Sequence, residues 1–198
     1  MTESERKQII ALIQREVIPA IGCTEPIAVA LCVAKATETL GAKPEKIKVL
    51  LSANILKNAM GVGIPGTGMI GLPIAVALGA LIGKSDYQLE VLKDSTPEAV
   101  EVGKKLIDEK RICISLKEDI TEKLYIEVTC EGGGEQATAI ISGGHTTFVY
   151  VAKGDEVLLN KQQTSGEEEE EEILELTLRK VYDFALTAPL DEIRFILE

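Results

Sequence analysis

Cys23 is the thiol in this sequence best placed to ionise. It stands in Gly22-Cys23-Thr24-Glu25-Pro26, directly before a stretch that reads as a helix. Thr24 is the expected N-cap there, and Pro26 is tolerated in the first turn. The positive end of a helix stabilises a thiolate and lowers the pKa of the thiol. That would suit a general base or a nucleophile. The competing reading is a small thiol packed into a joint between helices. Glu25 either complements the helix dipole or anchors a substrate ammonium group. Cys32, among Leu31, Val33 and Ala34, reads as core.

A second cluster is polar: Asn54, Lys57 and Asn58. If Ile55 to Ala59 is a helical turn, these three share a face. Two amides and one cation can grip an amino-acid carboxylate; capping plus a surface lysine is the alternative. The run Gly61-Val62-Gly63-Ile64-Pro65-Gly66 follows. It matches G-x-G-x-x-G, but a dinucleotide site needs that fingerprint directly between a strand and a helix. Here a polar segment intervenes and Pro65 sits inside the loop. What remains is a glycine loop, Gly66-Thr67-Gly68, feeding a helix and offering backbone N–H groups to an anion such as a substrate carboxylate. A tight turn needing positive φ fits the same residues. His145, after Gly143-Gly144, could reach a site from a hairpin turn or serve a structural purpose.

The elements that must position these groups follow from periodicity. A first helix is expected over Glu3 to Ile18, capped by Thr2 with Glu5 as reciprocal partner. Its stripe is Ile9, Ile10, Ile13 and Val17. A second helix is expected over Glu25 to Leu40, stopped by Gly41, with small residues Ala28, Ala30, Ala34 and Ala36 permitting close packing. Lys46 to Ser52 alternates like a strand, and an apolar helix runs from Met69 to Ile82. Beyond Tyr87 the character changes. Gln88 to Leu92 reads as a strand, Thr96 to Glu109 as a capped helix, and Arg111 to Leu116, Lys123 to Cys130, Gln136 to Ser142 and Thr146 to Lys153 as strands. The fold class is α+β: helical catalytic-type segments, 1–86 with 167–198, around an inserted module, 87–166, with a βαβ-like start and antiparallel strands. Asn160 to Gly166 reads as a linker. Glu167 to Thr187 and Leu190 to Leu197 read as amphipathic helices that want a partner.

Composition narrows the function classes. The 198 residues are 45% hydrophobic and only 4% aromatic, without Trp. The core must be aliphatic. A net charge of −11 argues against nucleic acid and anionic membranes as partners. Part of that charge lies in Glu167 to Glu172. Met69 to Ile82 is shorter than the ~20 residues a spanning helix needs, and MTESERKQ carries no apolar signal core. The expected compartment is the cytoplasm, with Cys23, Cys32, Cys113 and Cys130 reduced. They form no C-x-x-C pair, so no metal ligands are assigned in this chain.

Three segments together resemble the alpha-chain region of the iron–sulfur L-serine dehydratases, most closely the L-cysteine desulfidase branch. They are Gly22-Cys23-Thr24-Glu25-Pro26, then Asn54 with Lys57-Asn58-Ala59-Met60, and Gly61 to Met69 with Gly71-Leu72-Pro73. The resemblance implies a lyase that eliminates sulfide from L-cysteine, or water from L-serine, to give pyruvate and ammonia. It implies a [4Fe-4S] cluster, held by three cysteines of a later region, whose open iron binds the leaving group. Cys23 matches the base. Thr24, Glu25, Asn54, Lys57, Asn58, Gly66, Thr67, Gly68 and His145 are the candidates for substrate contact. Cys32, Cys113 and Cys130 lack the context of cluster ligands. The chain is therefore expected to be an N-terminal portion, binding no cluster and inactive alone, with a second copy or the missing C-terminal region over its last helices. The alternative is a non-enzymatic small-molecule-binding or regulatory module of the same fold.

Overall fold

The computed structural model describes residues 1–161 and 176–197. The chain forms two compact units, Met1–Pro19 with Ser165–Glu198, and Ala20–Thr164.

The larger unit is built on a six-stranded mixed sheet. Its strands are β1 (Lys46–Leu51), β4 (Ile112–Leu116), β5 (Tyr125–Gly132), β6 (Glu135–Ser142), β7 (Phe148–Lys153) and β8 (Glu156–Asn160), in the order β4-β1-β5-β6-β7-β8. Among the described residues only β1 and β4 pair in parallel; the other neighbours in the sheet are antiparallel. A two-stranded hairpin, β2 (Gly63–Ile64) with β3 (Met69–Ile70), stands apart from it. With its helices this is an α+β fold.

Helix α2 (Thr24–Leu40) lies across β5 and β6, and α4 (Leu72–Ile82) packs beside α2. Strand alternation aims Ile47, Val49 and Leu51, and Ile126, Val128 and Cys130, into this layer, while Lys46, Lys48 and Glu131 are exposed. The small residues of α2 let α4 approach its backbone: a Cβ at Gly79 would stand 2.6 Å from the Ala30 carbonyl oxygen. Helix α5 (Pro97–Asp108), capped by the Thr96 side chain, packs on α4. Helix α3 (Ala53–Ala59) follows β1 directly.

Several elements differ from expectation, each for a local reason. Gln88 to Leu92 is not a strand. It falls in a 3₁₀ segment, Ser85–Glu90, and the turn after it, because Gln88 takes φ 51° and cannot continue extended. The parallel pairing of a βαβ start is present, but its first strand is β1. The apolar helix begins at Leu72 rather than Met69, since Gly68 and Gly71 adopt φ of 64° and 88° and Met69–Ile70 are drawn into the hairpin. The N-cap of α2 is Cys23, one residue before the threonine expected there. Strand β8, just past the Gly154-Asp155 turn, completes the antiparallel run.

The smaller unit contains α1 (Glu3–Glu16), α6 (Leu178–Thr187), α7 (Leu190–Ile193) and a 3₁₀ turn over Arg194–Leu197. Thr2 and Glu5 form the expected capping box. Arg6 grips Glu192 through two bonds of 2.8 and 3.1 Å, and Lys180 meets Glu5 at 3.2 Å. Thr177 caps α6, so the helix starts at Leu178. The expected helical stretch before it, with the acidic run from Glu167, Ile173 and Leu174, and most of the expected linker, lie outside the described residues. Among the described residues no helix is long and apolar enough to cross a membrane.

Candidate functional site

Helix α2 presents its N-terminus at one end of the sheet. Cys32 Sγ, two turns into the helix, meets the carbonyl oxygens of Ala139 at 3.3 Å and Ile126 at 3.8 Å. Thr37, farther on, meets Cys130 at 3.6 Å. Residues 23–25 therefore sit toward the sheet end where Leu51 pairs with Ile126 and Tyr125 pairs with Ser142. The same end carries the start of α3 and the Gly143–Thr147 turn.

At that end Cys23 Sγ donates to Glu25 Oε2 at 2.9 Å, and the Thr24 hydroxyl reaches the same oxygen at 3.3 Å. The other carboxylate oxygen, Oε1, accepts from Asn58 Nδ2 of α3 at 3.2 Å. Cys23, Thr24 and Glu25 are half-buried and Asn58 is exposed. Thr24 thus spends its hydroxyl on Glu25 rather than on a cap, and Cys23 makes no capping bond with its side chain.

The electrostatics reverse the sequence expectation for the thiol. The hydrogen bond to Glu25, with burial next, raises the Cys23 pKa above its ordinary value and outweighs the local backbone N–H groups that lower it. The Glu25 carboxyl is held below its ordinary value, first by the bond from Cys23 and, against the cost of burial, by its own backbone N–H, Asn58 and Thr24. The resting pair is a thiol and a carboxylate sharing one proton, with that proton on sulfur.

The glycine run folds as the β2–β3 hairpin. The amides of Thr67, Met69 and Gly71 are used internally: Thr67 N–H donates to Ile64 O, Met69 N–H to Thr67 Oγ1 at 3.0 Å, and Gly71 N–H to Val62 O at 2.8 Å. Gly66 and Gly68 supply the positive φ of the turn. The hairpin still reaches the site, because a Cβ on Gly22 would stand 2.9 Å from Pro65 Cγ. That contact sets the loop against the residue preceding Cys23. Spacing in the chain gave no sign of it, since Gly22 and Pro65 lie in different elements.

Asn54 and Lys57 share the face of α3 that carries Asn58, at i, i+3 and i+4 as the expected helical turn required, but neither bonds to Cys23 or Glu25 among the described residues. Asn54 lines a separate cleft of about 560 Å³ with Ser52 and the 116–123 segment. Lys57 is exposed, and among the described residues it makes no ion pair. His145 is half-buried in its turn, with no hydrogen bond to Cys23 or Glu25 among the described residues. One polar cluster escaped the sequence. Glu127 Oε2 accepts from both Lys117 Nζ and the Tyr125 hydroxyl at 2.7 Å. Burial, then the Glu127 carboxylate, pushes the Tyr125 phenol well up. Only alternation along β5 places Tyr125 and Glu127 on one face, and nothing in the chain order brings Lys117 to them.

The cysteines do not assemble a metal set. Cys32 and Cys130 are buried in the layer between α2 and the sheet, and Cys113 is exposed on β4. Among the described residues no three metal-ligating side chains come together. An iron–sulfur cluster does not fit the residues present.

No family model matches the chain, and no solved structure matches it. The chain is similar to proteins named UPF0597. It is 98% identical over 198 residues to one from Bacteroides fragilis and 80% identical over 198 residues to one from Bacteroides thetaiotaomicron. Over 199 residues it is 43% identical to one from Oleidesulfovibrio alaskensis. In each case all of this chain is matched, against 46% of the relative, so the chain spans about half the length of the curated relatives it matches. The name UPF0597 marks an uncharacterised family and states no activity. These likenesses correct the resemblance drawn from the N-terminal motifs: over its whole length the chain is similar to about half of a UPF0597 protein, and nothing in them indicates a serine dehydratase alpha-chain fragment.

Proposed function

We propose that the Cys23–Glu25–Asn58 cluster is the proton-transfer side of a lyase site that removes sulfide from L-cysteine, or water from L-serine. The observation that carries this reading is the thiol–carboxylate hydrogen bond at the start of α2, braced by Asn58 from α3. A carboxylate matches a substrate ammonium group, and Asn58 with Lys57 on the same short helix offers partners for a substrate carboxylate. Release of the shared proton to solvent leaves a thiolate beside a carboxylate, a stronger base for having a raised pKa. That thiolate takes the α-proton. The C–S or C–O bond then breaks with its electron pair on the leaving atom, and the aminoacrylate so formed takes up water to give pyruvate and ammonia.

The same hydrogen-bonded cluster fits a second reading, a binding module in which the thiol keeps its proton beside Glu25 and the site holds an amino acid without turning it over. Anaerobic assay of the full-length Bacteroides fragilis relative separates the two. Release of pyruvate and sulfide from L-cysteine, lost roughly 100-fold or more in Cys23→Ala, is the expected result for general-base chemistry. Full activity in Cys23→Ala removes the base from Cys23. Saturable binding of L-cysteine with no product replaces the lyase reading with the module.

A further inference from the structure

Among the described residues, the contacts of helix α6 with α1 fall on one side. Lys180 pairs with Glu5 of α1, and Phe184, one turn on, is buried. About opposite lie Leu178, Tyr182 and Leu186 at i, i+4 and i+8, with Val181 beside them. Leu178 is 91% exposed and Leu186 66%. Past the helix, Leu190 and Leu197 are 79% and 89% exposed, and the 190–197 stretch frames a groove of about 500 Å³. Scattered surface leucines are ordinary; a contiguous stripe of them marks an interaction surface.

We propose that this stripe docks a further stretch of the same polypeptide, the part of the full-length relatives that lies outside the matched region. More than half of each relative's length lies there, while 98% of this chain's positions recur in the Bacteroides fragilis protein. The region that carries α6 and α7 therefore has its counterpart in a much longer chain. Their chemistry fits a permanent neighbour: the stripe is uncharged, aliphatic except for Tyr182, whereas the charged groups on α6 and α7 that pair across the unit, Lys180 and Glu192, meet α1. The inference stands on the helices alone and holds whatever Cys23 does.

A photoreactive amino acid at the position of Leu186 in the full-length Bacteroides fragilis protein tests it, using a mixture of isotopically heavy and light copies. The expected cross-link joins this position to a peptide outside the matched region within a single copy. Cross-links between heavy and light copies overturn the proposal in favour of a dimer. Cross-links into residues 20–161, or none at all, overturn it as well. Leu190→Asp in the same full-length protein should lower the melting temperature; an unchanged melting temperature also overturns the proposal.

Discussion

At the scale of single residues, the site turns on where one proton sits. A helix start by itself favours a thiolate at Cys23, yet Glu25 lies 2.9 Å from the sulfur and holds the proton there. Its carboxylate is the largest reason the thiol pKa is raised. Glu25→Gln removes the negative charge, so the Cys23 thiol should ionise at lower pH than in the parent protein. The pH profile of alkylation, followed at the Cys23 peptide by mass spectrometry, reads this directly. A profile that stays in place would mean that burial, not the carboxylate, retains the proton. If Cys23 acts as the base, the alkaline rise in activity must move in the same direction.

At the scale of elements, two close approaches hold the site in position. Gly79 of α4 has room for no side chain against the Ala30 backbone. Gly79→Val should cost about 3 kcal/mol in urea unfolding, the upper range for overpacking, whereas Gly61→Ala, with open space around it, should cost under about 1 kcal/mol. Equal costs would mean that α2 and α4 separate easily. The second approach joins Gly22 to Pro65. Gly22→Ala suffers twice, from a φ of 89° and from the proline ring, and should lose about 1–3 kcal/mol. Combining it with Pro65→Ala should recover the part due to the ring. A strictly additive double mutant would show that hairpin and helix start are uncoupled.

At the scale of the whole molecule, the layer between α2 and the sheet is dry enough to be read by titration. Burial raises Cys130 from its ordinary 9.0 to about 11, and pushes Cys32 up as well. The folded protein keeps the Cys130 proton at a pH where the unfolded chain has released it. That contribution is intact below pH 9 and is lost as pH rises through about 11, a swing of about 3 kcal/mol for Cys130. Urea midpoints measured across this window should fall steadily. Cys130→Ala should reduce the fall, with Cys32 carrying part of what remains, and should cost about 1–2 kcal/mol at neutral pH for the lost buried sulfur. A midpoint that stays level in the parent protein would place Cys130 in contact with water.

Much of the local structure was legible in the sequence because it rests on local forces. The Thr2–Glu5 capping box, the Gly41 and Gly83 stops, the Thr96 cap and the alternation of β1 and β5 each need only a few neighbouring residues to be recognised. The α+β class followed from those periods. Cys23, Glu25 and Asn58 also stood out by type and spacing. Tertiary structure decided what spacing could not encode. It joined α3 to α2 through Asn58, pressed Pro65 against Gly22, sent Asn54 to another cleft, and made β1 rather than residues 88–92 the parallel partner of β4. It also decided the charge state of the thiol. A helix dipole is a property of the chain's local geometry, whereas a carboxylate turned back onto the sulfur depends on how side chains are held once the fold is complete.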